Sequence, residues 1–104
     1  MLAAWYKKFG SARDVLEVGE MTEPTSAKGE VKIRIHSSAV NPSDVKKRLG
    51  SSPGLLDNGL VIPHSDGAGV IVEVGDDTLK NRIGERVWVF EAQHNRYHGT
   101  SAQF

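Results

Sequence analysis

No cysteine occurs anywhere in the 104 residues. That absence excludes disulfides, thiolate metal sites and a cysteine nucleophile, and it is compatible with a reducing compartment. Net charge is absent too: 13 basic residues balance 13 acidic ones. No block of like charge appears, so neither nucleic acid nor an anionic membrane surface is an expected partner. No apolar run approaches the ~18 residues of a membrane span. The start, Met1-Leu2-Ala3-Ala4-Trp5-Tyr6-Lys7-Lys8, lacks the charged stretch and apolar run of a secretory signal. A cytoplasmic protein is the expectation. Internal repeats and low-complexity tracts are missing as well. What remains is one domain, residues 1–104, long enough to hide roughly two thirds of its unfolded surface and so to build a modest core.

The patterning that is present has mostly period two. Val31, Ile33 and Ile35 alternate with Lys32, Arg34 and His36, which predicts a strand with one wet face. Val70, Val72 and Val74 repeat the alternation, and Val87 and Val89 do so again between Arg86, Trp88 and Phe90. Leu2 to Phe9 and Val15 to Val18 are weaker strand candidates. Gly or Pro punctuates each gap, at Gly10, Pro24, Gly29, Pro53-Gly54, Gly59, Gly75 and Gly84. A single helix is expected. Asn41 suits an N-cap, Pro42 the first helical position, and Asp44 the positive helix end. The segment Ser43 to Leu49 then makes about two turns, closed by Gly50. Many short strands and one short helix near residues 42–49 predict a mainly β chain, a small barrel or sandwich.

Three motifs carry a resemblance. They are Val40-Asn41-Pro42-Ser43-Asp44; Ile62-Pro63-His64-Ser65-Asp66-Gly67-Ala68-Gly69 running into Val70-Ile71-Val72-Glu73-Val74-Gly75; and Gly84-Glu85-Arg86-Val87. In order and spacing the chain resembles the N-terminal catalytic domain of the zinc-independent quinone oxidoreductases, within the medium-chain dehydrogenase/reductase family. The resemblance implies a GroES-like small β-barrel. It also implies that these residues are the N-terminal part of an enzyme about three times longer, whose nucleotide-binding domain lies downstream.

Zinc-dependent relatives have a cysteine metal ligand where Asn41 stands here and a histidine ligand where Ser65 stands. An amide is a poor zinc ligand, but it offers two N–H donors and a carbonyl acceptor. No zinc is therefore expected, and the four-cysteine structural zinc loop of some relatives is absent. By resemblance Asn41 faces the nicotinamide end of the cofactor and the substrate, as the catalytic residue. Pro42 and Asp44 neighbour it on the cofactor side. Lys46, Ser65 and Asp66 fall at the substrate pocket, Lys46 where many relatives carry an aromatic residue. NADPH is the implied cofactor, held mainly downstream. A quinone-like small molecule is the implied substrate, and a homodimer of the full-length protein is compatible with the family.

Other patterns have plainer explanations. His64-Ser65-Asp66 looks like a catalytic triad, yet consecutive side chains of an extended segment point to opposite faces and cannot form a relay. His94 and His98 have helical spacing, but Gln93, Asn95, Arg96 and Gly99 around them read as loop. Gly67-Ala68-Gly69 leads into a strand and lacks a third glycine, so it is expected to permit close packing or a bend rather than to cradle a phosphate. Trp5, Trp88, Phe90 and Tyr97 are expected in the core or barrel wall. A co-chaperonin-like assembly module is the alternative from another class. It would need a long mobile loop near the N-terminus, and Gly10-Ser11-Ala12-Arg13-Asp14 is short for one. A relative that has lost activity and kept a structural role is a third reading.

Overall fold

The three alternating segments form one antiparallel sheet. The computed structural model describes residues 1–104. In chain order the elements are β1 (Leu2–Trp5), α1 (Ala12–Val15), β2 (Glu17–Glu20), β3 (Val31–Ala39), α2 (Pro42–Arg48), β4 (Asp66–Val74) and β5 (Arg86–Val89). Two 3₁₀ turns, Pro53–Leu56 and Asp77–Arg82, lie in the connections around β4. β4 is the central strand, flanked by β3 and β5. Its register sets Val31 against Val74, Ala39 against Asp66, and Gly67 against Val89. β1 and β2 form a separate antiparallel pair, Leu2 opposite Glu20 and Trp5 opposite Glu17. Single bridges, Ala3 to Ala102, Tyr6 to Val61 and Ile62 to His98, stitch the remaining chain to these elements. The mainly β GroES-like expectation is correct. The ladders themselves make two small sheets joined by isolated bridges rather than one continuous closed sheet.

Two local expectations need correction. Val15 to Val18 is not one strand: Val15 ends a one-turn helix, and only Glu17 and Val18 enter β2. The cause is a helix start at Ser11, whose hydroxyl donates to the Asp14 carboxylate at 2.7 Å while its carbonyl accepts the Asp14 and Val15 N–H groups. The Leu2 to Phe9 candidate stops at Trp5 as a strand; Tyr6 makes only a bridge, and Lys7-Lys8 bend away.

The core is small. Tyr6, Val15 and Val61 cluster with Phe9, Leu55 and Leu56 packed against them, and Ala3, Ile62 and Ile71 are buried nearby. Trp88 and Phe90 are not core residues. They are 74% and 65% exposed, because β5 is an edge strand whose inward face belongs to Val87 and Val89. The two rings pack on each other instead, with centroids 5.7 Å apart. Tyr97 is also exposed. No helix is long and apolar enough to cross a membrane.

The glycine pair of β4 is explained by close backbone approach. β3 carries an irregularity between Ile35 and Ser37 opposite Gly67 to Gly69. A Cβ on Gly67 would lie 2.7 Å from the Ser37 carbonyl oxygen, and one on Gly69 would overlap the Arg34 carbonyl.

One ionic cluster ties the far end of this sheet. Lys32 Nζ lies 2.8 Å from Glu23 and 2.7 Å from Glu73. Glu73 also accepts from the Ser26 N–H and hydroxyl, both at 2.8 Å. The Lys32 ammonium first, and then the Ser26 donors, hold the Glu73 carboxyl down at about 2, against an ordinary 4.5. A depressed carboxylate stabilises the fold above its unfolded pKa, and that contribution disappears as pH falls toward the folded value. Acid unfolding followed by far-UV circular dichroism is therefore expected to show a loss between about pH 4.5 and 2 that Glu73→Gln flattens. Superimposable curves for the two proteins would contradict this linkage.

Candidate functional site

Helix α2 and the start of β4 bring the first two motifs together. Asn41 has extended backbone (φ −113°) and caps the helix, with Pro42 at its first turn. The Asp44 carboxylate reaches back to the Asn41 backbone N–H at 2.6 Å. Asp44 is 6% exposed, and its other oxygen has no partner. Gly50, with φ of 103°, follows the helix end as the sequence predicts. Fixed this way, the Asn41 side chain meets β4 at its first residue: Nδ2 donates to Asp66 Oδ2 at 2.6 Å. A carboxylate can only accept, so this bond fixes which end of the amide is nitrogen. Asp66 Oδ1 accepts weakly from the Glu91 N–H at 3.4 Å. The Asn41 side-chain oxygen faces the Asp44 backbone N–H in the reciprocal half of a capping box, so one Asn41 N–H is left for a ligand.

The three consecutive polar residues diverge, as an extended segment requires. His64 Nδ1 meets Ser38 Oγ at 2.8 Å. Ser65 Oγ lies 3.4 Å from both Lys47 Nζ and Gln93 Oε1. Asp66 turns to Asn41. His64 has φ of 75°, a left-handed conformation that a histidine adopts at some cost. A directed chain of hydroxyls compensates. Thr100 Oγ1 donates to the Asp66 carbonyl at 2.7 Å, so it must accept from Ser38 Oγ at 2.8 Å. Ser38 in turn must accept from His64, which places a proton on Nδ1. Thr100 is buried. The chain thus anchors the backbone of Asp66, and through it the amide of Asn41.

The sequence-predicted residues are distributed unevenly over this site. Asn41, Asp44 and Asp66 form one connected unit. Ser65 sits beside it but bonds on the other side of the chain. Pro42 is exposed at the helix start. Lys46 is exposed and its side chain makes no hydrogen bond or ion pair within the chain; the lysine that turns toward Ser65 is Lys47. Lys47 and Gln93 are the residues that sequence reasoning missed. Lys47 had a signal, since it lies three residues after the inward-facing Asp44 and therefore shares its helix face. Gln93 lies in a loop and had none.

A hollow of about 520 Å³ lies elsewhere, between β3 and the chain from Val89 to Phe104. None of Asn41, Lys47, Ser65 and Asp66 lines it, so convergent chemistry and not size marks the site. His98 Nε2 is taken by the Phe104 carbonyl at 3.0 Å, and no three His, Asp or Glu side chains converge. At the two positions where the resemblance implies metal ligands in zinc-dependent relatives, the donors present do not suit zinc. The Asn41 nitrogen carries the hydrogens it gives to Asp66, and Ser65 offers a neutral hydroxyl.

Comparison with known proteins follows this geometry. The alcohol dehydrogenase GroES-like domain matches residues 27–103. The chain belongs to that family. A mitochondrial NAD(P)H oxidoreductase of Dictyostelium discoideum is 36% identical over 84 residues, covering 77% of this chain and 24% of the relative. The 2-methylene-furan-3-one reductase of Solanum lycopersicum is 34% identical over 89 residues, covering 84% and 23% respectively. The solved quinone oxidoreductase of Coxiella burnetii superposes with a TM-score of 0.86 at 27% identity, over 99% of this chain and 33% of that one. The chain thus spans between about a quarter and a third of the length of the relatives it matches. The relatives it matches include quinone oxidoreductases and alcohol dehydrogenases.

Proposed function

We propose that this domain is the acceptor-side part of a zinc-independent oxidoreductase that passes hydride from NADPH to a quinone or a similar electron-poor acceptor. One observation carries the proposal: the Asn41 amide, oriented by Asp66 at 2.6 Å, presents a neutral N–H donor at the position where the resemblance puts a metal ligand in zinc-dependent relatives. When bound, NADPH supplies the hydride. The residues of this chain orient and polarise. The remaining Asn41 N–H donates to a polar oxygen of cofactor or acceptor. Asp66 and the Asp44 cap hold that amide still, which matters because preorganised donors need no rearrangement at the moment of transfer. Asp44, being buried, acts on the site through Asn41. Pro42, exposed beside it, is available to the cofactor. Water serves as the final proton source.

The names of the relatives support the parts of this proposal separately: NAD(P)H for the cofactor, quinone and a conjugated methylene ketone for the acceptor class. The cytoplasm and a homodimeric full-length protein belong to the same proposal. Nothing favours the assembly-module alternative, because residues 10–14, already too short for its mobile loop, run into the one-turn helix α1 at Ala12. The test is to mix the full-length protein with NADPH and 1,4-benzoquinone and follow cofactor absorbance. Oxidation that depends on both enzyme and quinone is expected. NADPH that stays reduced with quinones and with conjugated enones alike would refute the proposal.

A further inference from the structure

The outer edge of β5 is unpaired. No strand and no isolated bridge lies against it. The Ile71 N–H donates to the Glu85 carbonyl at 3.0 Å, so Glu85, Val87 and Val89 turn their backbone groups toward β4. By the two-residue repeat, Arg86, Trp88 and Phe90 turn theirs outward. An open edge of this kind is a template for a further strand.

The side chains along the edge are aromatic in the middle and charged at the ends. Trp88 and Phe90 are exposed and pack on each other. With Ser37 to Ala39 and Asp66 to Ala68 they line a hollow of about 380 Å³. Arg86 precedes the rings and Glu91 follows them. Both are exposed, and neither belongs to any ion pair of the protein. A strand with a free cation at one end and a free anion at the other is complementary to itself when a second copy runs antiparallel.

We propose that β5 is the surface through which two copies of this protein associate, edge to edge about a twofold axis, as one six-stranded sheet. The proposal rests on the homodimer of the reading above and names its surface; the hydride chemistry has no part in it. Pairing centred on Val89 sets Trp88 against Phe90 of the second copy and brings each Arg86 alongside the Glu91 of the other. The outward backbone groups of both strands find partners, four rings leave water together, and two free cations meet two free anions. At about 150–250 Å² per buried ring, the exposed parts of the four rings offer roughly 600 Å². With the strand edges the contact belongs to the smaller class of interfaces, about 1,200 Å² or less, so weak and concentration-dependent association is expected.

The experiment is sedimentation velocity on the full-length protein across a dilution series. A twofold association step is expected. Trp88→Lys is expected to weaken it at least ~30-fold, as loss of a central aromatic anchor does. Arg86→Glu and Glu91→Arg each set like charges together at both ends and are expected to weaken it about 10-fold. Mixed in equal amounts, these two variants are expected to recover association, because each end of the mixed pair again joins opposite charges. A merely structural role of either residue would not produce that recovery, and the charge variants keep the test decisive if Trp88→Lys does not fold. Failure of the mixture to recover overturns the antiparallel pairing. Association that none of the variants alters overturns the proposal and leaves the homodimer standing; a fall in thermal midpoint for Trp88→Lys then assigns the rings to another part of the full-length chain. A protein that sediments as a single chain at every concentration overturns both, and leaves the rings to a different partner.

Discussion

Replacing Asn41 by Ala in the full-length protein is expected to lower kcat for NADPH-dependent quinone reduction by about 10²–10³, the usual cost of one preorganised donor. The amide is tied down and partly unspent. Its Nδ2 is held 2.6 Å from Asp66, its backbone N–H is held by Asp44, its oxygen faces the Asp44 backbone N–H in a capping box, and its second N–H has no partner within the chain. Truncation removes the donor and also strands the Asp66 carboxylate, which keeps only a 3.4 Å bond from the Glu91 N–H. Asn41→Asp provides the sharper comparison. It keeps the shape but sets two carboxylates face to face where a 2.6 Å hydrogen bond now stands, so it is expected to fall at least as far as Ala. Steady-state kinetics on both variants check this. An unchanged kcat in Asn41→Ala removes the residue from the mechanism.

Gly69→Ala is expected to be the most destabilising single methyl in the protein's central sheet. The added Cβ would overlap the Arg34 carbonyl of β3 and come within 2.8 Å of Ile33 Cγ2. A backbone carbonyl cannot swing aside as a side chain can, and β4 pairs on both edges. Overpacking of a tight interior typically costs up to about 3 kcal/mol, and here the obstacle is main chain, so the loss is expected at or above that figure. Against a total stability of about 5–15 kcal/mol for a domain of this kind, the midpoint of thermal unfolding should fall by more than ~12 °C. The same strain lies next to the site, because Gly67 follows Asp66 and has the Ser37 carbonyl 2.7 Å from where a Cβ would be. Differential scanning calorimetry on Gly69→Ala decides it. A midpoint within a few degrees of wild type would mean that β3 yields at its irregularity.

The three strands of the main sheet are legible from β-branched residues with period-two alternation at Val31–Ile35, Val70–Val74 and Val87–Val89, although in the second the buried residue is Ile71, off the alternating valines. The helix after Asn41 was legible from its punctuation, a capping amide, a proline at the first turn and a glycine after the last. α1 was not, since four residues carry no periodicity and its only mark is a serine three places before an aspartate. The outward-facing rings of Trp88 and Phe90 were misjudged because alternation says which residues share a face and not which face meets the core. The site was half legible. Asn41, Asp44 and Asp66 stand in recognisable motifs and do meet. Lys46, which the resemblance puts at the substrate pocket, is exposed, and Lys47, one residue and about 100° further round the helix, turns toward Ser65. Gln93 reaches the site through a loop whose path no local pattern encodes, fixed by tertiary bonds such as Gln93 Nε2 to the Ile62 carbonyl.

The most direct test of the central claim, that neutral donors serve here where related enzymes use a metal, is turnover of the full-length protein before and after exhaustive dialysis against a chelator, with zinc measured on the same samples. The account predicts quinone reduction at an unchanged rate and no stoichiometric zinc in either sample. One zinc per chain, with activity lost on its removal and regained on its return, would contradict it.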